Sequence, residues 1–229
     1  MIALRVATPA DATGAVEVWR AAQAARGLRP PAARVARVQE KVGQGLLVVA
    51  TDTDAEGHEV VGMALGEPGR EQDGAGEVVP GLLHLAMVFV IPSRQREGIG
   101  SALVEGIADA AWDRGFRSVS VWSRTPDFYL ACGLDLTGRA QGDAVQLTAE
   151  LEAPLREVVV REAGIRLGQL LKLAELVETG SEGKELLAGG GVEVNGEIEL
   201  RRGRQLQDGD EVRARDQAVR VVLVPVTAG

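Results

Sequence analysis

The sequence predicts an α/β chain in two parts, and three observations carry that prediction. From residue 2 to residue 151, apolar runs of strand type alternate with stretches of helical spacing. Residues 82–114 join a strand, a glycine loop and an amphipathic helix without interruption. After Leu151-Glu152-Ala153-Pro154 the pattern changes to short elements separated by glycine turns. The length of 229 residues suits one or two domains at roughly 100–200 residues each.

Residues 2–7 alternate as a strand, and Thr8-Pro9-Ala10-Asp11 marks a helix start, with Thr8 as cap, Pro9 at the first position and Asp11 as the capping-box acid. Val16, Trp19 and Ala22 continue a helix towards Gly27. Leu28-Arg29-Pro30-Pro31 breaks it, and residues 32–42 form a second helical segment. Residues 46–50 and 60–65 read as a hairpin around a polar turn at 51–58. Residues 67–81 read as a long glycine-rich loop.

The central strand, residues 82–91, stops at Pro92, and the helix after it repeats Leu103, Ile107, Ala110 and Ala111. Between them lies Ser93-Arg94-Gln95-Arg96-Glu97-Gly98-Ile99-Gly100. A glycine loop at a helix start makes an anion site, because the first helical N–H groups lack internal partners and Gly lets a phosphate approach. The glycines fit neither the dinucleotide fingerprint nor a P-loop, which requires Gly-Lys-Ser/Thr. Residues 118–122 form another strand, residues 125–134 a short helix, and residues 144–151 are expected to close the sheet.

Composition excludes several classes. The single Cys132 rules out an internal disulfide framework and fits a reducing compartment, so a cytoplasmic location is expected. Two histidines and one cysteine are too few for a zinc site, and no metal is expected. No apolar run approaches the roughly 20 residues needed to span a bilayer, and the first residues do not form a signal peptide. The net charge of −8 argues against non-specific coating of nucleic acid. Residues 1–154 carry 14 Lys+Arg against 20 Asp+Glu, and residues 155–229 carry 11 against 13. The last third is therefore nearer neutrality without being basic.

Gln95-Arg96-Glu97-Gly98-Ile99-Gly100, preceded by Val90-Ile91-Pro92, resembles the acyl-CoA signature Q/R-x-x-G-x-G/A of the GNAT N-acyltransferase superfamily. Phe128-Tyr129-Leu130-Ala131-Cys132-Gly133-Leu134 resembles its second signature, without the Asn often found ahead of the tyrosine and with Leu134 for the commoner Phe. The resemblance covers residues 2–151. It implies a mixed, mostly antiparallel sheet flanked by helices, an acetyl-CoA cofactor and an amine acceptor. It places the pyrophosphate on the backbone of Gln95, Arg96, Glu97, Gly98, Ile99, Gly100 and Ser101, and the pantetheine arm along Val88, Phe89 and Val90. Arg94 and Arg96 flank that loop, and a guanidinium matches phosphate geometry.

Acyl transfer to an amine needs a polarised thioester, an amine that can lose a proton, and a stabilised thiolate. Tyr129, the only tyrosine, falls on the family's leaving-group acid position. His84 is the first candidate for the base, Glu67 its rival, and ordered water a third route. Cys132 is expected to be a small buried hydrophobe.

In the second part residues 156–162 read as a strand, residues 166–177 as a helix, and residues 181–187 as another capped by Ser181. Asn195-Gly196 marks a tight hairpin turn. This order, with the Leu167–Leu173 segment, Arg201-Arg202-Gly203-Arg204 and residues 206–212, resembles the small RNA-binding domain first described in ribosomal protein S-four. The expected division is a transferase domain at 1–152, a linker or first strand at 153–159 and the RNA-binding domain at 160–229. The second resemblance implies contacts to structured RNA from Arg166, Gln169, Lys172, Lys184, Asn195, Arg201, Arg202 and Arg204, opposed by Glu175, Glu178, Glu182 and Glu185. Protein docking or dimerisation is the alternative for this domain. For the whole chain, the alternative to an N-acetyltransferase is a non-catalytic, CoA-sensing RNA-binding adaptor.

Overall fold

The computed structural model describes residues 1–54, 59–71, 76–161 and 164–224. The chain divides into two compact units, Met1–Glu152 and Ala153–Gly229. Among the described residues no helix is long and apolar enough to cross a membrane.

In the first unit, seven strands form one sheet: β1 (Ile2–Val6), β2 (Leu46–Asp52), β3 (Glu59–Arg70), β4 (Val78–Val90), β5 (Ser118–Ser123), β6 (Asp135–Gln141) and β7 (Ala144–Glu150). Their order is β1-β2-β3-β4-β5-β7-β6, and all neighbours are antiparallel except β4 and β5. The mixed, mostly antiparallel sheet expected from the sequence is thus the one observed. The helices are α1 (Ala12–Ala25), α2 (Ala32–Gln44), α3 (Ile99–Trp112) and α4 (Pro126–Leu130).

Both faces of the sheet are covered. On one, Leu83, Leu85, Val88 and Val90 of β4 pack with Leu103 and Ile107 of α3 and with Tyr129 of α4. On the other, Met63, Leu65, Met87 and Phe89 pack with Val16 and Trp19 of α1 and Val38 and Val42 of α2. Leu103 is fully buried, worth about 1.5–3 kcal/mol relative to exposure.

β4 changes parity between these two groups. Leu65 pairs with Met87 but Gly66 pairs with Leu85, so Ala86 is an extra residue without a cross-strand partner. This bulge points odd positions to the α3 face before it and even positions to that face after it, re-aiming every later side chain. Next to the bulge, β4 parts from β5: the parallel pairing covers only Leu82–His84 against Ser118–Ser120. From Leu85 to Val90 the β4 edge facing β5 has no partner strand.

The structure corrects two local expectations. Residues 67–81 are not mainly a loop: β3 runs to Arg70 and β4 begins at Val78, residues 72–75 lying outside the described set. A Cβ on Gly66 or Gly69 would stand under 3 Å from Leu83 or Leu82, so these glycines give room to leucines on the adjacent strand. Residues 144–151 do not lie at the sheet edge, because β7 is inserted between β5 and β6. The polar turn at 51–58 falls partly outside the described residues.

The second unit pairs β8 (Leu155–Val160), β10 (Val192–Val194), β11 (Glu197–Ile198), β13 (Glu211–Ala214) and β14 (Gln217–Leu223) in the order β11-β10-β13-β14-β8, with β9 (Ile165–Arg166) and β12 (Gln205–Leu206) as a separate pair. The strand read at 156–162 corresponds to β8, which joins the sheet parallel to β14. Two helices, α5 (Leu167–Leu173) and α6 (Gly180–Ala188), bury Leu167, Leu170, Leu171 and Leu187 against it.

The helix expected over 166–177 ends four residues early. Glu175 takes φ +58°, and the Leu176 N–H returns to the Leu171 carbonyl, closing the helix end. Leu176 and Val177 are buried all the same, which is why the apolar spacing ran on. Thr179, not Ser181, caps α6: its hydroxyl accepts from Glu182 N–H at 3.2 Å, and the Glu182 carboxylate accepts from the N–H of Glu178 and Thr179.

Candidate active site and basic face

The β4–α3 connection builds the first cavity, about 520 Å³, lined by Val88, Val90, Arg94, Gln95, Arg96, Gly98, Gly100, Ser101, Thr125, Phe128 and Tyr129. Pro92 ends β4 in a short 3-10 turn, and the chain enters α3 through Arg96 at φ +65° and Gly98 at φ +80°. Gly98 is the N-cap residue of α3, so the first N–H groups of that helix face the cavity mouth with no side-chain cap. At Gly100 a Cβ would come within 3.3 Å of the Phe128 ring, so this glycine admits α4 against α3 as well as opening the loop.

The loop side chains divide by role. The Gln95 amide donates to the Val90 carbonyl at 3.1 Å, tying the loop to its strand. Arg94 is ion-paired with Asp52 and with Glu97, the latter at 2.8 Å, so the Glu97 side chain faces its neighbour and does not line the cavity. Arg96 is exposed, and its guanidinium has no hydrogen-bond or ion-pair partner among the described residues. Ile99 is buried in the core beside Leu103, leaving only its backbone for a ligand. Phe89 points to the opposite face of the sheet, so its side chain lies outside this cavity.

Tyr129 stands at the inner end, 9% exposed, with its ring edge-on to Phe128 at 4.8 Å. Its hydroxyl has no hydrogen-bond partner among the described residues. Burial, with a smaller contribution from Cys132 nearby, pushes the phenol up to about 12. It is therefore protonated throughout the physiological range. Thr125, which the sequence reading did not single out, lines the cavity four residues before Tyr129, its N–H donating to Ser123 Oγ at 3.0 Å. The sequence signal was a Thr-Pro pair at a helix start.

The second cavity, about 710 Å³, opens on the other face of the sheet beside the β4–β5 gap. Among its walls are Lys41, Glu67, Arg70, His84, Ala86, Met87, Trp122 and Arg139. His84 and Glu67 face each other in register on β4 and β3. Glu67 Oε2 accepts from Lys41 Nζ at 2.5 Å. Burial holds the His84 imidazole below its ordinary range, Glu67 opposing that and Lys41 adding to it, so the ring is neutral at neutral pH. Lys41, on α2, reaches this group only through the fold.

In the second unit the eight expected cationic and amide residues separate into two sets. Arg166, Lys172, Lys184 and Arg202 are exposed, and their cationic groups have no partner among the described residues. The Arg202 stem lies over Gly168 at the start of α5 and its guanidinium reaches Gly180 at the start of α6. The other four are engaged. Asn195, at φ +54° in the hairpin turn, donates to Asp210 at 2.8 Å and accepts from Glu211 N–H at 2.8 Å. Gln169 accepts from Arg166 N–H at 3.0 Å, completing the α5 cap. Arg201 and Arg204 both bond the buried Glu199, at 2.8 and 3.2 Å, holding its carboxyl at about 2, Arg201 acting most strongly. Of the opposing acids, Glu182 is itself neutralised by Arg215 at 2.6 Å.

Comparison with known proteins follows this division. The model of the S4 domain matches residues 158–222. Among curated proteins, none matches. The chain is similar in fold to a GNAT family N-acetyltransferase from Escherichia coli in complex with CoA, at 21% identity and TM-score 0.52, covering 66% of this chain and 81% of that one. It is similar also to an aminoglycoside 6'-N-acetyltransferase complexed with coenzyme A, at 14% identity and TM-score 0.52, covering 66% of this chain and 98% of that one. An acetyltransferase of the GNAT family from Staphylococcus aureus Mu50 gives 11% identity and TM-score 0.50, covering 66% and 100%. The model of the acetyltransferase (GNAT) family matches residues 17–134, just over half of the 229, and the chain therefore belongs to that family.

Proposed function

We propose that the first unit transfers an acetyl group from acetyl-CoA directly to a primary amine. The parting of β4 from β5 carries this reading. It leaves a strand edge free to pair with the amide groups of a pantetheine arm. The gap also sits between the α3-face cavity and the cavity beyond it. Gly98 and the uncapped start of α3 suit the pyrophosphate, and Arg96 adds a free guanidinium. Two of the similar structures hold coenzyme A.

In this mechanism neutral His84 accepts the proton of the incoming ammonium, directly or through water. Glu67 is the weaker candidate because Lys41 already neutralises it. The bulge at Ala86 turns the backbone of β4 between the residues that line the two cavities. Tyr129 donates a hydrogen bond to the departing sulfur. Cys132 is half-buried beside the core, and no residue in this account forms a covalent intermediate.

The second unit brings the enzyme to structured RNA in the same proposal, with Arg166, Lys172, Lys184 and Arg202 contacting phosphates. Binding should weaken steeply as salt rises. Absence of binding at low salt would point to the protein-docking alternative.

The test of the transfer reading is CoA thiol release with a panel of amines: a small amine, a peptide N-terminus, a lysine peptide and an aminoacyl-tRNA. Saturable release with at least one of them is expected. Binding of acetyl-CoA with no turnover on any amine would favour the non-catalytic adaptor.

A further inference from the structure

Lysine is scarce in this chain: of 25 Lys+Arg residues only Lys41, Lys172 and Lys184 are lysine. Lys41 is the only lysine of the first unit, and it lies in the wall of the second cavity, with His84, the residue proposed above to take the proton of the incoming ammonium. Arginine guanidinium is always charged and is no acceptor for an acetyl group, whereas a lysine amine becomes nucleophilic once deprotonated. The Lys41 ammonium lies 2.5 Å from a carboxylate, Glu67, which stands in register with the neutral imidazole of His84. An amine, its counter-ion and a proton acceptor thus share one cavity, whose wall includes Ala86 and Met87, the residues just before Val88 of the opposite cavity.

Resting on the assignment of these two cavities, we propose that Lys41 is a self-acetylation site, modified by the protein's own acetyl-CoA when no external amine occupies the cavity. The Lys41 ammonium gives its proton to His84 or Glu67. The freed lone pair attacks the thioester carbonyl, the C–N bond forms, the newly bonded nitrogen gives its second proton to solvent, and the C–S bond breaks. The thiolate leaves as CoA thiol after taking a proton from solvent beside the Tyr129 hydroxyl, and the proton first removed passes to solvent. One amide and one free thiol result for each acetyl-CoA consumed. The modification removes the cation from Glu67 and leaves its carboxylate facing the cavity, where the ammonium of an external acceptor would meet it.

The second unit supplies an internal control. Lys172 and Lys184 are both exposed, so simple chemical acylation by the thioester would label them at least as fast as the ion-paired, partly covered Lys41. The experiment incubates the full chain with acetyl-CoA and no acceptor near neutral pH, then maps acetyl groups by peptide mass. Unfolding temperature with and without acetyl-CoA is recorded in parallel. The expected result is one acetyl group on Lys41 ahead of the other two lysines, at a rate independent of protein concentration, and none in the first unit's side chains of Lys41→Arg. Equal labelling of all three lysines, or a rate that rises with protein concentration, would overturn the proposal. Unmodified Lys41 in a protein that acetyl-CoA still stabilises would overturn it while leaving the cofactor site intact. Failure of acetyl-CoA to stabilise the protein would remove the cofactor site and this proposal together.

Discussion

Replacing Tyr129 by phenylalanine removes one oxygen from the inner end of the first cavity and keeps the ring against Phe128. Because the hydroxyl has no partner among the described residues, stability should change by less than about 1 kcal/mol. The catalytic effect follows from the proton affinities. The phenol sits at about 12, about 3.5 pH units above the ~8.5 of an ordinary thiol. Complete proton transfer from this phenol to a free thiolate is therefore uphill by about 5 kcal/mol. A hydrogen bond to the developing thiolate avoids that cost. Such a bond to a charged group is worth about 1.5–3 kcal/mol, or roughly 10- to 150-fold in rate. We therefore predict that Tyr129→Phe lowers kcat by that factor with little change in KM for acetyl-CoA, read as CoA thiol release. No basic limb from this group should appear below about pH 11, since the phenol stays protonated there. Unchanged kcat would remove Tyr129 from the chemistry. A loss beyond about 10⁴-fold in a folded variant would show obligatory proton transfer and refute the hydrogen-bond argument.

The remaining predictions concern one residue each. His84 is held below its usual range, so its working neutral form is lost only as pH falls beneath about 6.5; kcat/KM should have an acid limb below that value, and His84→Ala should lower it by about 10²-fold or more. The same shift makes the unfolded chain bind more protons than the native one, so stability falls as pH drops through that window. Gly98→Ala meets open space but must adopt φ +80°, a strain of about 1 kcal/mol; thermal unfolding should show a drop of about 2–4 °C and the KM for acetyl-CoA should rise. Glu199 is held at about 2, so it stabilises the second unit above its ordinary pKa and loses that contribution as pH falls towards about 2. Acid unfolding of Glu199→Gln should lack that dependence, and an unchanged acid transition would contradict the clamp by Arg201 and Arg204.

Local signals were legible in the sequence and long-range ones were not. The strand, the glycine loop and the helix at 82–114 were readable because a stop at Pro92, a Gly-x-Gly and a helical repeat lie within one short stretch. Asn195-Gly196 announced its turn for the same reason. By contrast, Pro68 and Gly69 read as part of a loop because the leucine that Gly69 accommodates, Leu82, comes from another strand. The helix over 166–177 was overextended because Leu176 and Val177 keep the apolar spacing after the backbone has turned at Glu175. In the candidate sites, Asn195, Arg201 and Arg204 look like free polar side chains in the sequence. Asp210 and Glu211, the partners of Asn195, are 15 and 16 residues away and are brought to it by strand pairing. Glu199, by contrast, is near Arg201 and Arg204 in sequence and engages both because the fold buries its carboxylate. Lys41 was invisible as a cavity residue, since only the packing of α2 beside β3 brings it to Glu67.

The central claim is that the first cavity holds acetyl-CoA, and thermal unfolding with and without that ligand tests it most directly. A ligand at 100 times its dissociation constant stabilises the native state by about 2.7 kcal/mol, a shift of roughly 5–10 °C for a unit of this size. We predict such a shift in the wild-type protein and a smaller one in Gly98→Ala at the same ligand concentration. No shift at millimolar acetyl-CoA would contradict the account.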